Sequence, residues 1–76
     1  MSKVKEMRQK ANLTQVELAE KTDISIRTLQ SYEQGAKVFD HARIDTIIKV
    51  CLALNCKMTD VIENEEYISL LKEYEK

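Results

Sequence analysis

Residues 13–35 read LTQVELAEKTDISIRTLQSYEQG, and they compress two short helical patterns into one stretch. Asp23 divides the patterns, and Gly35, the only glycine in the chain, closes the second. So short a link fixes the angle between the two helices and makes them share one core. The local chemistry agrees. Thr14-Gln15-Val16-Glu17 is a capping box, in which the Thr14 hydroxyl takes the Glu17 N–H and the Glu17 carboxylate reaches back to Thr14. Leu13 is placed to staple onto Leu18, while Val16, Leu18 and Ala19 form an inward stripe. This helix stops around Lys21–Thr22. The next starts after Ser25, a favoured N-cap type, and runs to about Gln34, with Gly35 at the left-handed position that ends it. Ile24, Leu29 and Tyr32 lie on its inward side. Ile26, Arg27, Gln30 and Ser31 are related by four-residue steps and form one outward patch.

The rest of the chain is also helical in pattern. Val4, Met7 and Ala11 share a face of a first helix over about 3–11, which ends near Asn12. The connection AKVFDHA leads to a fourth helix over about 42–54, with Ile44, Ile47, Ile48, Cys51 and Leu54 on one apolar face and Asn55 at its end. A short fifth helix carries Met58, Val61 and Ile62. Lys57 stands at its start and cannot cap by accepting a hydrogen bond, so that end either frays or leans on Thr59. The tail NEEYISLLKEYEK forms a sixth helix, with Tyr67, Leu70, Leu71 and Tyr74 on one face. No segment alternates long enough to be a strand, and the absence of proline fits an all-α chain.

Seventy-six residues make one small domain. Its 43% apolar and 33% charged residues exclude disorder. No run is long and apolar enough to span a membrane, and the N-terminus lacks the apolar stretch of a signal peptide. Cys51 and Cys56 are too few for a disulfide framework and read as buried hydrophobes in a reducing cytoplasm. With the lone His41 they do not supply a metal site. The net charge of −1 is unevenly spread: residues 1–50 carry nine basic against seven acidic side chains, residues 51–76 three against six. A basic face in the first part is therefore compatible with a polyanionic partner.

Residues 13–35 resemble the helix-turn-helix of the phage repressor and Cro family, also called the XRE family. The matching residues are LTQ at 13–15, ELA at 17–19, Ile24-Ser25, Thr28-Leu29 and YEQG at 32–35, and the likeness extends to IDTIIKVCLALNC and covers about residues 4–63. It implies a five-helix lambda-repressor-like DNA-binding domain over 1–63, followed by a short amphipathic helical tail over 64–76. It implies base contacts from Ser25, Ile26, Arg27, Gln30 and Ser31, on a recognition helix in the major groove. It implies phosphate contacts from Gln15 and Lys37, and a structural pair, Arg8–Glu33, tying the first helix to the third. The chemistry of these side chains agrees: Arg pairs with guanine, Gln with adenine, an apolar Ile with a thymine methyl, and a helix start with a phosphate. The chain departs from the family at Asp23, where glycine is usual, and at Lys57.

The expected function is sequence-specific binding of double-stranded DNA by a cytoplasmic, repressor-like transcriptional regulator. The alternative on the same fold is the DNA-binding antitoxin, or protein-interaction module, of a toxin–antitoxin pair, with a partner held through 64–76. A homodimer is expected, since one recognition helix reads few base pairs. The tail either folds back on its own core or pairs with another copy. No cofactor is implied. No nucleophile–base pair or nucleotide-binding glycine motif points to an enzyme.

Overall fold

The computed structural model describes residues 2–76. Among these, α1 spans Lys3–Lys10, α2 Gln15–Thr22, α3 Ile26–Gln34, α4 Ile44–Leu54 and α5 Glu65–Tyr74, with no strand. Single 3-10 turns occupy Phe39–His41 and Met58–Asp60. The architecture is all-α, as the sequence pattern requires. The short fifth helix expected at Met58–Ile62 is only the second of these turns, so the tail helix is α5. Lys57 is not helped by Thr59: the Asp60 carboxylate accepts from the Lys57 N–H at 2.9 Å and closes the turn.

The helix ends are set by their own side chains. Ser2, Thr14, Ser25 and Asn64 each accept a backbone N–H of the helix that follows, satisfying donors that have no partner inside the helix. In the capping box of α2, Thr14 Oγ1 takes the Glu17 N–H at 3.1 Å and Glu17 takes the Thr14 N–H at 2.8 Å. The Thr14 backbone N–H, and after it the Thr14 side chain, hold the Glu17 carboxyl below its ordinary pKa of 4.5. Four residues have left-handed backbone: Asn12, Asp23, Gly35 and Asn55, with φ of 58°, 58°, 83° and 52°. Each follows a helix and turns the chain out of it. Asp23 adopts a conformation that glycine takes more readily.

Val4, Leu18, Leu29, Val50 and Val61 are fully buried, one each from α1 to α4 and one from the segment after the second 3-10 turn. α2 is the hub and packs on both α3 and α4. Phe39 anchors the loop after α3 and meets Tyr32 edge-on, with ring centroids 5.2 Å apart. Three apolar assignments differ from the sequence pattern. Val16 is 56% exposed, so the inward stripe of α2 is Leu18, Ala19 and Thr22. Thr22 is accommodated because its hydroxyl donates to the Leu18 carbonyl at 2.7 Å. On α4, Ile44 and Ile48 face solvent, and Val50 takes the buried place beside Ile47, Cys51 and Leu54. The tail folds back, but by Ile68 and Leu71, leaving Tyr67, Leu70 and Tyr74 outside.

One polar contact crosses the interior. Arg8 of α1 grips Glu33 of α3 through two bonds, Nε to Oε2 at 2.8 Å and Nη2 to Oε1 at 3.0 Å, while Nη1 donates to the Leu13 carbonyl at 2.8 Å. The Glu33 side chain is 2% exposed. Such a fork-to-fork pair offsets the cost of burying two charges only when both partners are present.

Three outcomes follow. Arg8→Ala or Glu33→Ala should each cost about 3–5 kcal/mol in chemical denaturation, with an Arg8→Met/Glu33→Leu double variant recovering most of the loss. Asp23→Ala should destabilise by about 1 kcal/mol, since alanine adopts the left-handed conformation less readily, whereas Asp23→Gly should be neutral or stabilising. Because the Glu17 pKa is lowered on folding, its contribution is present above pH 4.5 and lost as pH falls through the lower folded value. Melting temperature measured from pH 7 to pH 3 should therefore fall less steeply for Glu17→Gln than for the natural chain.

Candidate nucleic-acid interface

The outward side of α3 begins at its N-cap. Ser25 Oγ accepts the Thr28 N–H at 3.1 Å and donates to Thr28 Oγ1 at 2.9 Å. The donor and one of the two acceptor lone pairs of this hydroxyl are thus engaged in starting the helix, and one lone pair is left. Ile26 and Arg27 follow on the exposed surface. Gln30 is half-buried, one turn after Ile26, and Ser31 donates to the Arg27 carbonyl at 3.1 Å. The patch therefore combines an apolar group, a guanidinium and an amide in little more than one helical turn.

α2 presents its N-terminal end beside this patch. Gln15 Nε2 donates to Glu33 Oε1 at 3.1 Å, and Gln30 Nε2 donates to Gln15 Oε1 at 3.4 Å. Arg8, Glu33, Gln15 and Gln30 form one chain of hydrogen bonds that runs from the buried ion pair to the surface of α3. The two glutamines lie fifteen residues apart in sequence, and no spacing rule joins them; only the packing of α2 on α3 does. Their side-chain torsions are set before any ligand arrives, which lowers the entropy lost on contact. The capping box uses the N–H groups of Thr14 and Glu17. The N–H groups of Gln15 and Val16 remain at the positive end of α2.

Lys37 stands just beyond the α3 C-cap, exposed, with its N–H bonded to the Ser31 carbonyl at 3.1 Å. The loop is tethered at Asp40, whose carboxylate takes the Glu63 and Asn64 N–H groups, both at 2.9 Å. Gln15, Ile26, Arg27, Gln30 and Ser31 are thus gathered on the α2–α3 pair, and Lys37 lies in the loop that continues from it.

Chemistry elsewhere is sparse. Cys51 is buried, and burial pushes its thiol up to about 12; burial also raises Cys56. Neither is a thiolate near neutral pH. Among the described residues no three His, Cys, Asp or Glu side chains gather as metal ligands. No helix there is long and apolar enough to cross a membrane.

Two short helices at a fixed angle, a capped turn between them and an exposed polar face on the second are the parts of a helix-turn-helix. Comparison with known protein families matches the family described as helix-turn-helix over residues 4–61. Comparison with curated proteins and with solved structures gives no match. The family match spans α1 to the turn after α4 and includes all the residues of the hydrogen-bonded chain. The chain belongs to the XRE family of helix-turn-helix DNA-binding proteins.

Proposed function

We propose that the protein is a sequence-specific regulator of transcription that inserts α3 into the major groove and acts as a homodimer. The observation that carries the reading is the Gln15–Gln30 contact at 3.4 Å, which joins the start of α2 to the outward face of α3. It supports a division of labour. Arg27 and Gln30 read base edges, Arg27 as a bidentate partner of guanine and Gln30 of adenine. Ile26 adds apolar contact with a thymine methyl, and Ser31 a hydroxyl at the edge of the same patch. Gln15 and the free N–H groups at the start of α2 hold a phosphate, and Lys37 a second. Ser25 keeps α3 capped at the groove.

A single α3 spans only a few base pairs. Two copies with recognition helices about 34 Å apart read a palindrome. The slight net negative charge means that long-range attraction to DNA is weak, so affinity depends on these local contacts.

Selection of bound sequences from a random duplex pool should return a palindrome. Against the selected site, Arg27→Ala and Gln30→Ala should each cost about 1–3 kcal/mol and relax preference at one position per half-site. Lys37→Ala should weaken all sequences alike and reduce the dependence of affinity on salt. Unchanged affinity on replacing both Arg27 and Gln30 would refute the assignment of α3 as the reading helix.

A further inference from the structure

Asn55 ends α4 with a φ of 52°, and two backbone bonds close the turn. The Cys56 N–H donates to the Cys51 carbonyl at 3.0 Å, and the Asn55 N–H to the Leu52 carbonyl at 3.3 Å. This double closure sets the side chains on either side of the turn against each other, a place that an apolar contact commonly fills. Here both positions are cysteine. The single bond of 3.0 Å between their backbones keeps the two Cα atoms within about 7 Å. Both thiols are free, and they lie close enough that each alters the ionisation of the other. They open on one cavity of about 330 Å³, which Met58 also lines. Two thiols and a thioether thus share one small space.

We propose that Cys51, Cys56 and Met58 form a binding site for a soft monovalent cation of the copper(I) class, with the two cysteines as anchoring ligands and the thioether as the third. The site lies apart from every residue assigned to DNA above, so it stands or falls separately from that reading.

The donor set decides the ion. Thiolate and thioether sulfur select soft ions such as Cu(I). A structural zinc site takes four ligands, and no third His, Cys, Asp or Glu side chain joins the two cysteines. Calcium and magnesium take oxygen donors, and the Asp60 carboxylate is turned to the Lys57 N–H at 2.9 Å. Ile48 and Leu52 give the cavity an apolar wall, which suits an ion that sheds its water.

The charges balance simply. Burial disfavours a bare thiolate here, but a coordinating thiol is deprotonated outright. Both protons leave to solvent, and two thiolates with one Cu(I) carry a single negative charge. Lys57 at the same cavity offsets that charge, while Glu75 and Asp60 oppose it. Copper stays Cu(I) and both sulfurs stay reduced, so no oxidant is needed.

The full chain, reduced and held anaerobic, should take up one Cu(I) in competition with a chromophoric Cu(I) chelator. The ultraviolet charge-transfer band of copper–thiolate bonds should grow with it. Cys56→Ala should lose that binding with helical circular dichroism unchanged. Cys51→Ala should do the same, and the half-buried Cys56 decides the matter if the buried Cys51 variant unfolds. Met58→Leu keeps both thiols and should weaken binding about tenfold, the lower end of what a supporting group contributes at a metal site. A natural chain that cannot hold one ion against the chelator would overturn the site, as would a Cys56→Ala chain that holds it equally well. Preferential uptake of Zn(II) would overturn the class of ion. Indifference to Met58→Leu would overturn the place of the thioether.

Discussion

The structure depends on the buried fork between Arg8 and Glu33. A charge pair in a core this small costs desolvation, and an apolar pair of equal volume would fill the same space without that cost. The pair also does what an apolar contact cannot. Glu33 Oε1 accepts from Arg8 and from Gln15 together, at 3.0 and 3.1 Å, so the ion pair that joins α1 to α3 also orients the first residue of α2. Arg8 Nη1 meanwhile holds the Leu13 carbonyl just before the α2 cap. The angle of the two-helix unit is therefore defined by directional bonds to three segments, where hydrophobic packing alone would tolerate sliding.

What the sequence made legible was local. Thr14, Ser25 and Glu17 announce helix starts by donor and acceptor chemistry that acts over three residues, and Asn12, Asp23, Gly35 and Asn55 announce ends because few other residues adopt the left-handed backbone. Identity of the helix-turn-helix followed from those signals and the residues between them. Side-chain direction on α4 was harder to read. That helix is apolar on most sides, so a period of 3.6 fits more than one face, and a face through Ile44 and Ile48 competes with the one that buries Val50. Val16 misled for a related reason: one exposed valine in a short helix leaves the stripe ambiguous. The Gln15–Gln30 contact and the twofold role of Glu33 are tertiary facts without a sequence period.

The finished domain has two unlike sides. α2 and α3 present polar groups held in place by hydrogen bonds. α4 and α5 present exposed aliphatic and aromatic side chains. Phe39 and Asp40 sit between these sides. Phe39 packs under the loop after α3, and Asp40 takes the two N–H groups that precede α5. The loop that carries Lys37 is thereby tied to the root of the tail.

Lys3 adds a constraint of a different kind. Its ammonium donates to the carbonyl of Ile62 at 2.9 Å, and its neighbour Val4 is fully buried in a core that includes Val61 and Ile62. α1 is thus completed by a residue 59 positions further along the chain. A nascent chain that has yet to extend past residue 62 leaves Val4 uncovered and Lys3 without its carbonyl, however well α2 and α3 have formed. Contacts this far apart in sequence close only when both ends of the segment are present. Fragments that stop short of residue 61 therefore carry α2 and α3 without Val61 and Ile62 to close the core.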